Sequence, residues 1–248
     1  MFAGRYDTTE LADKIDIKLG RRLTKSEMMV LELVTQAKWQ RPIYFAATIG
    51  SDYNQGMEPY MENVGLAYQI TPVRTNDYER TGRPRVNVEK MYDNMMNKFA
   101  YGNMNQPGIY IDENLMRMCR THRMMFAELI SSLLEQGDKE RAVAVLDRAE
   151  AELPGYNIPY DYTSATMACY YLECGEKEKG AAILRDVAKT CAEYTVWGAS
   201  LSKNQRAGVQ RTLQQNGAIL GFVLQQSERY GLNDIVDEYS SVYMQYMR

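Results

Sequence analysis

A mainly α fold, with about three helical hairpins behind a smaller α+β portion of two or three short strands, is predicted by three observations. First, residues 126–154 read Phe126-x-x-Leu129-Ile130-x-x-Leu133-x-x-x-Gly137-Asp138-x-x-x-Ala142-x-x-x-Leu146-x-x-Ala149-x-x-x-x-Pro154. Large apolar residues fall on one face of a first helix and Gly137-Asp138 supplies a turn. Small Ala142 and Ala149 let a second helix approach closely before Pro154 stops it. Second, the unit repeats: Leu134-Glu135-Gln136-Gly137-Asp138-Lys139-Glu140-Arg141 aligns with Leu172-Glu173-Cys174-Gly175-Glu176-Lys177-Glu178-Lys179 at an offset of 38 residues. Third, the first hundred residues carry short runs rich in aromatic and β-favouring residues, Ile43 to Thr48 and Leu66 to Val73.

Thr24-Lys25-Ser26-Glu27 is a capping box, since the Thr24 hydroxyl accepts from the helix N-terminus and Glu27 reaches back. A stripe of Met28, Leu31, Val34 and Thr35 then predicts a helix over 25–39, ended by Arg41-Pro42. Ile43 to Thr48 and Leu66 to Val73 read as strands. Asp52 to Gly65 between them reads as a loop with a short helix near Pro59, and Arg74 to Arg85 as a polar, mobile segment. Lys90 to Tyr101 resumes a helical pattern through Met91, Met95 and Phe99. Asn103 to Pro107 connects, Ile109-Tyr110-Ile111 is a third short extended piece, and Asp112 or Asn114 caps the first helix of the hairpin region. These signals divide the chain into an α+β portion, 1–112, and a helical array, 113–248.

The array has the spacing of tetratricopeptide hairpins, whose period is roughly 34 residues. In the second unit Val145 and Leu146 fall on Ile183 and Leu184, so the buried stripe is kept. Gly180 stands in the close-packing place of Ala142, and Ala192 stands where Pro154 would be, which makes this a degenerate repeat. A third pair is predicted from Gln210 to Tyr230 and from Asn233 to Met247, with Gly231 as the stop between them. About three pairs are what such an array needs to bury its apolar faces.

Composition bounds the function. The chain has 248 residues, 45% hydrophobic and 25% charged, which is ordinary globular material. A net charge of −3 with no basic run interleaved with aromatics argues against nucleic acid. The longest apolar runs, around Ile43–Ala47 and Ala218–Leu224, are far short of the roughly 20 residues that span a bilayer, so the chain is expected not to cross one and to be soluble. Residues Met1 to Asp7 contain no signal-peptide core. The chain has no phosphate-binding loop, dinucleotide fingerprint or nucleophile elbow, and no cofactor is expected.

Candidate chemistry has a structural alternative at each place. Cys119-x-x-His122 puts a thiol and the single imidazole three apart on one helix, but two ligands are too few for a metal, and Cys169, Cys174 and Cys191 join them only by tertiary coincidence. Buried packing is the expectation for all four thiols. Three complete disulfide pairings exist, yet Cys169 and Cys174 within one helix are roughly 7.5 Å apart, so no disulfide framework is expected. His122, between Arg120 and Arg123, reads as a helix-packing residue. Asp112-Glu113 suit a helix N-terminus, and Asp52 and Glu58 lack a recognisable acid–base partner.

Tyrosine is the compositional anomaly. Nineteen Tyr against five Phe favours aromatics with a polar handle, suited to partly wet protein interfaces and carbohydrate platforms. Tyr170, Tyr171, Tyr44 and Tyr68 fit core positions. Tyr53 with Tyr60, and Tyr156, Tyr160 and Tyr162 in the Pro154–Tyr162 linker, are the candidate binding residues, around a groove between that linker and the N-terminal strands. The 16 Met add adaptable contact surface, with Met28, Met95, Met124 and Met125 as core filler.

Four separated blocks also carry a resemblance. Trp39-Gln40-Arg41-Pro42-Ile43-Tyr44-Phe45-Ala46, Gly65-Leu66-Ala67-Tyr68, Met91-Tyr92-Asp93-Asn94-Met95-Met96, and Tyr110-Ile111-Asp112-Glu113-Asn114 through Arg117-Met118-Cys119-Arg120 occur in that order. Together they resemble the soluble C-terminal region of a bacterial multi-spanning membrane protein family related to protein O-mannosyltransferases, with a GT-C type membrane domain and a tetratricopeptide-like tail. The resemblance implies a tail on the extracytoplasmic (periplasmic) side of the inner membrane, attached through an N-terminal membrane domain missing here. The family's presumed catalytic acid lies in that membrane domain, so no catalytic residue carries over. Two further readings stand beside this protein- or glycan-binding scaffold. One is a stand-alone glycan hydrolase built on Asp52, Glu58 or Asp112, and the other is a purely structural or oligomerising tail.

Overall fold

The structure, a computed structural model, describes residues 11–12, 14–17, 22–49, 56–75 and 77–246. It divides into two compact units, Met1–Ala100 and Tyr101–Arg248.

In the first unit, Thr24 and Glu27 form the capping box and start helix α1 (Lys25–Ala37). Lys38 and Trp39 adopt left-handed backbone, with φ of 43° and 57°, and so terminate it before Arg41-Pro42 is reached. Among the described residues four short strands come next: β1 (Tyr44–Ala46), β2 (Met61–Asn63), β3 (Ala67–Ile70) and β4 (Arg85–Val86). They form one sheet in the order β1-β3-β2-β4, antiparallel except for the β2–β4 edge. The two-residue pleat sorts the faces. Phe45, Met61 and Ile70 point into a core with Met57, against which Val30 and Val34 of α1 pack. Tyr44, Gln69, Glu62 and Arg85 are register partners in a single row across the opposite face. The stripe of α1 that meets the core is therefore Val30 and Val34, while Met28 is exposed.

The expected α+β portion is richer than its sequence signals. The segment read as a loop from Asp52 to Gly65 contains a 3₁₀ turn at Glu58–Tyr60, as expected near Pro59, but also β2, whose Met-Glu-Asn sequence has no β-branched or alternating signature. Arg74 to Arg85 holds helix α2 (Asp77–Thr81) and strand β4. Arg74 pairs with Glu79, and the Thr81 hydroxyl donates to the Asp77 carbonyl at 2.7 Å. Helix α3 (Val88–Asp93) runs into a π turn at Asn94–Lys98, and the Asn94 side chain donates to Val64 O at 2.8 Å, fixing the β2–β3 hairpin. Ile109 to Ile111 forms no strand.

Among the described residues the second unit is six helices: α4 (Glu113–Glu135), α5 (Lys139–Glu152), α6 (Tyr162–Cys174), α7 (Lys177–Ser200), α8 (Lys203–Arg229) and α9 (Asn233–Tyr246). They pack as consecutive pairs, α4 with α5, α6 with α7 and α8 with α9, and neighbouring pairs stack. Asp112, Asp138, Asp161 and Ser202 each accept from a backbone N–H of the first turn. Helix α8 starts seven residues ahead of Gln210 because Ser202 and Gln205 make a capping box there. Met247, the expected end of α9, lies outside the described residues.

One backbone turn closes all three pairs. Gly137, Gly175 and Gly231 have φ of 78°, 93° and 67°. In each case the N–H of the next residue donates back across the turn: Asp138 to Leu133, Glu176 to Tyr171 and Leu232 to Ser227. This left-handed C-cap needs no Cβ, which is why glycine recurs. Gly180 meets its expected role, because a Cβ there would lie 2.7 Å from the Ala168 carbonyl oxygen of α6. Phe126, Leu129, Ile130, Leu133, Val145 and Leu146 are fully buried between the first two helices and their neighbours.

Candidate functional site

The five candidate tyrosines occupy different settings. Tyr53, like Asp52, lies outside the described residues. Tyr60 is 3% exposed and its hydroxyl accepts from the Asp16 N–H at 3.4 Å, so it is part of the first unit's core. Tyr160 is half-buried, and its hydroxyl donates to the Glu150 carboxylate at 2.7 Å. Tyr162 begins α6, is 54% exposed, and tilts against Phe222 of α8 with centroids 5.0 Å apart. Tyr156 is 66% exposed and donates to the Asn105 carbonyl at 2.6 Å.

The Tyr156 contact belongs to a larger seam. The Asn157 amide donates to Met104 O at 2.8 Å and Gln106 O at 2.7 Å, so the linker between α5 and α6 is sewn to the 103–109 connector. Pro107, Gly108, Ile109, Tyr156 and Asn157 border a shallow cleft of about 630 Å³. Tyr110, next in the chain after Ile109, is 90% exposed. Sequence reasoning assigned Tyr110 to a strand. It follows Ile109 of the cleft lining and is not itself part of that lining.

A buried arginine holds the linker from beneath. Arg123 of α4 is 1% exposed. Its guanidinium donates to Leu153 O at 3.0 Å, Ile158 O at 2.9 Å and Pro159 O at 3.1 Å, and lies 5.6 Å from the Tyr160 ring centroid. Asp161 stands 4.0 Å away. Burial pushes the Arg123 pKa down, opposed by Asp161 and Glu150, and burial pushes the Glu150 carboxyl up, opposed by the Tyr160 hydrogen bond. A planar, five-donor group suits three carbonyls fanned around it. The sequence held a signal for this: Arg123 falls in register with Cys119, Phe126 and Ile130 on the apolar face of α4, where a cation needs a built partner set.

The remaining candidates have structural settings. Cys119 and Cys191 are buried and all four Cys are free thiols; burial pushes Cys169 up to about 11 and Cys191 up to about 12, far from thiolate reactivity. His122 packs edge-on against Tyr101 at 5.6 Å, its Nδ1 buried without a hydrogen-bond partner, and burial lowers its pKa. Asp112 caps α4 by accepting from Leu115 N at 2.8 Å. Glu58 sits in the 3₁₀ turn. Among the described residues no group of three or more His, Cys, Asp or Glu is placed to hold a metal ion. In the first unit, Lys90 donates to the Tyr44 hydroxyl at 3.0 Å and to Gln69, and Asn87 donates to Glu62 at 2.9 Å, so the polar row across the sheet is internally matched.

A family model described as TMEM260-associated domain 2 matches residues 2–90. The matched segment includes α1 and the four strands, and the paired helices lie beyond it. No curated protein and no solved structure matches the chain. Among the described residues no helix is long and apolar enough to cross a membrane.

Proposed function

We propose that the chain is the non-catalytic, extracytoplasmic (periplasmic) tail of a membrane glycosyltransferase-like protein related to protein O-mannosyltransferases, and that it holds a protein or glycan acceptor for the parent membrane domain. The observation that carries this reading is the similarity of residues 2–90 to a domain described by its association with TMEM260. The four blocks that resemble the O-mannosyltransferase-related family point the same way. The tetratricopeptide-type spacing of the three pairs supports a docking role, because stacked hairpins offer extended surface on a rigid frame. Tyr156 at the connector cleft, the exposed Tyr110 that follows Ile109 of its lining, and Tyr162 beside Phe222 are the contact residues of this reading. Tyr160 positions the Tyr156 linker through Glu150.

The test is titration of the purified chain with a Ser/Thr-rich peptide and its O-mannosylated counterpart, followed by calorimetry. Tyr110→Ala and Tyr156→Ala each weaken binding roughly tenfold, the scale of one lost aromatic contact, with helical content unchanged in far-UV circular dichroism. Binding that ignores both substitutions, or glycoside hydrolysis by the isolated chain, overturns the proposal.

A further inference from the structure

The three pairs are unequal in length, and the inequality leaves an open groove at one end of the array. Helices α7 and α8 have 24 and 27 residues, whereas α9 has 14. Past the end of α9 the two longer helices stay in close contact: a Cβ on Gly198 would fall 2.5 Å from Leu213 Cδ2. Between them lies a cleft of about 690 Å³. Val196, Ala199, Ala207 and Leu213 give it an apolar floor, and Val242 and Gln245 of α9 close one end. Lys203, Arg206, Gln210 and Gln214 line it from α8, at the three- and four-residue intervals of a single helix face.

Charge identifies what fits there. From Tyr194 to Ser227 the sequence contains no Asp or Glu, and its charged residues are Lys203, Arg206 and Arg211, in a chain whose net charge is −3. Arg206 is partly engaged, donating to the Gly198 and Ala199 carbonyls at 3.1 and 3.2 Å at the C-terminus of α7, but it keeps its charge at the rim. Among the described residues Lys203 and Arg211 have no hydrogen-bond or ion-pair partner. A greasy floor demands an apolar stripe from its occupant, and a rim of cations and amides with no carboxylate demands acidic flanks. The eleven steps from Lys203 to Gln214 span roughly 17 Å, about three helical turns.

From this juxtaposition we infer that the α7–α8–α9 groove docks an acidic amphipathic helix of a partner polypeptide, laid alongside α8 beyond the end of α9. The helix buries its apolar residues on Ala207 and Leu213, and its carboxylates face Lys203 and Arg206 of the lining, with Arg211 one helical turn on from Ala207 at the flank. A flat anionic bilayer matches the charge but not the cleft between the helices. This surface is independent of the acceptor site at the connector cleft.

The test uses a synthetic peptide of about 14 residues, Leu at helix positions i, i+3, i+4 and i+7 and Glu on the flanks, together with an analogue carrying Lys for every Glu. Binding to the full chain is followed by Trp197 fluorescence, in a Trp39→Phe background, and by calorimetry. The acidic peptide binds, and its affinity falls tenfold or more with the Lys analogue, with the double variant Lys203→Glu/Arg211→Glu, and on raising salt. Ala207→Trp, which fills the floor without touching a charge, blocks it. Both charge reversals lie on exposed side chains, and an unchanged melting temperature confirms that the fold is intact. Equal binding of the two peptides, absence of binding, or recruitment by phosphatidylglycerol-containing vesicles in place of the peptide overturns the inference.

Discussion

Removing the Arg123 guanidinium tests how the α5–α6 linker is held. In Arg123→Met the hydrocarbon volume is roughly kept, while the carbonyls of Leu153, Ile158 and Pro159 lose their shared donor in a site closed to water. Each carbonyl left unsatisfied costs about 1–3 kcal/mol, and Asp161 and Glu150 lose a neighbouring cation. The relief of no longer burying the arginine charge offsets part of this, leaving a net loss of about 3–5 kcal/mol. For a unit of this size that is a fall in melting temperature on the order of 10 °C. Trp197 lies in the helical unit and Trp39 in the other, so Trp39→Phe makes fluorescence-monitored urea unfolding report on the helices alone. Arg123→Lys keeps a charge that cannot reach three fanned acceptors, and loses about half as much. Asp161→Asn retains the cap of α6 and removes only the 4.0 Å charge pair, costing about 1 kcal/mol or less. If Arg123→Met unfolds at the wild-type urea concentration with an unchanged slope, the three carbonyls are not what the arginine is there to satisfy.

Other substitutions probe the packing and the titration. Gly180→Ala has a favourable helix propensity of about 1 kcal/mol, but its methyl meets the Ala168 carbonyl at 2.7 Å, so the net change is destabilisation by about 1–3 kcal/mol in a denaturant series. Tyr171→Phe removes the 2.8 Å hydrogen bond to Asp147, which Lys179 also binds, and lowers stability by about 1 kcal/mol. His122 is held below its ordinary pKa by burial, so the unfolded chain takes up its proton first. Its stability contribution is complete above about pH 6.5 and is lost as the pH falls below that value. Melting temperature measured from pH 7.5 down to 5.5 drops in the wild type and drops less in His122→Phe; parallel curves would remove His122 as the source.

Legibility in the sequence tracked locality. The hairpin turns were readable because a left-handed C-cap leaves a one-residue mark, glycine, and the buried stripe around Phe126 and Leu129 has its own period. The capping boxes at Thr24 and Ser202 are equally local, yet only the first stood out, because Ser202-x-x-Gln205 precedes a stretch of Gln, Asn and Arg with no apolar stripe to announce α8. Strands β2 and β4 escaped because they are three and two residues long and acquire strand geometry from pairing, not from propensity. The exposure of Tyr156 and Tyr162 was legible from linker composition. Arg123 left only the trace of a cation on the apolar face of α4, since the carbonyls it serves, Leu153, Ile158 and Pro159, lie thirty or more residues away.

The recurrence of one backbone turn at Gly137, Gly175 and Gly231, inside each hairpin, makes every stretch from one such glycine to the next a cassette with the same ends. Cutting and rejoining the gene just after such glycines exchanges whole cassettes without disturbing the hydrogen bonds that end a helix. Lengthening or trimming the array by recombination is therefore a smaller step than altering any single buried side chain within it.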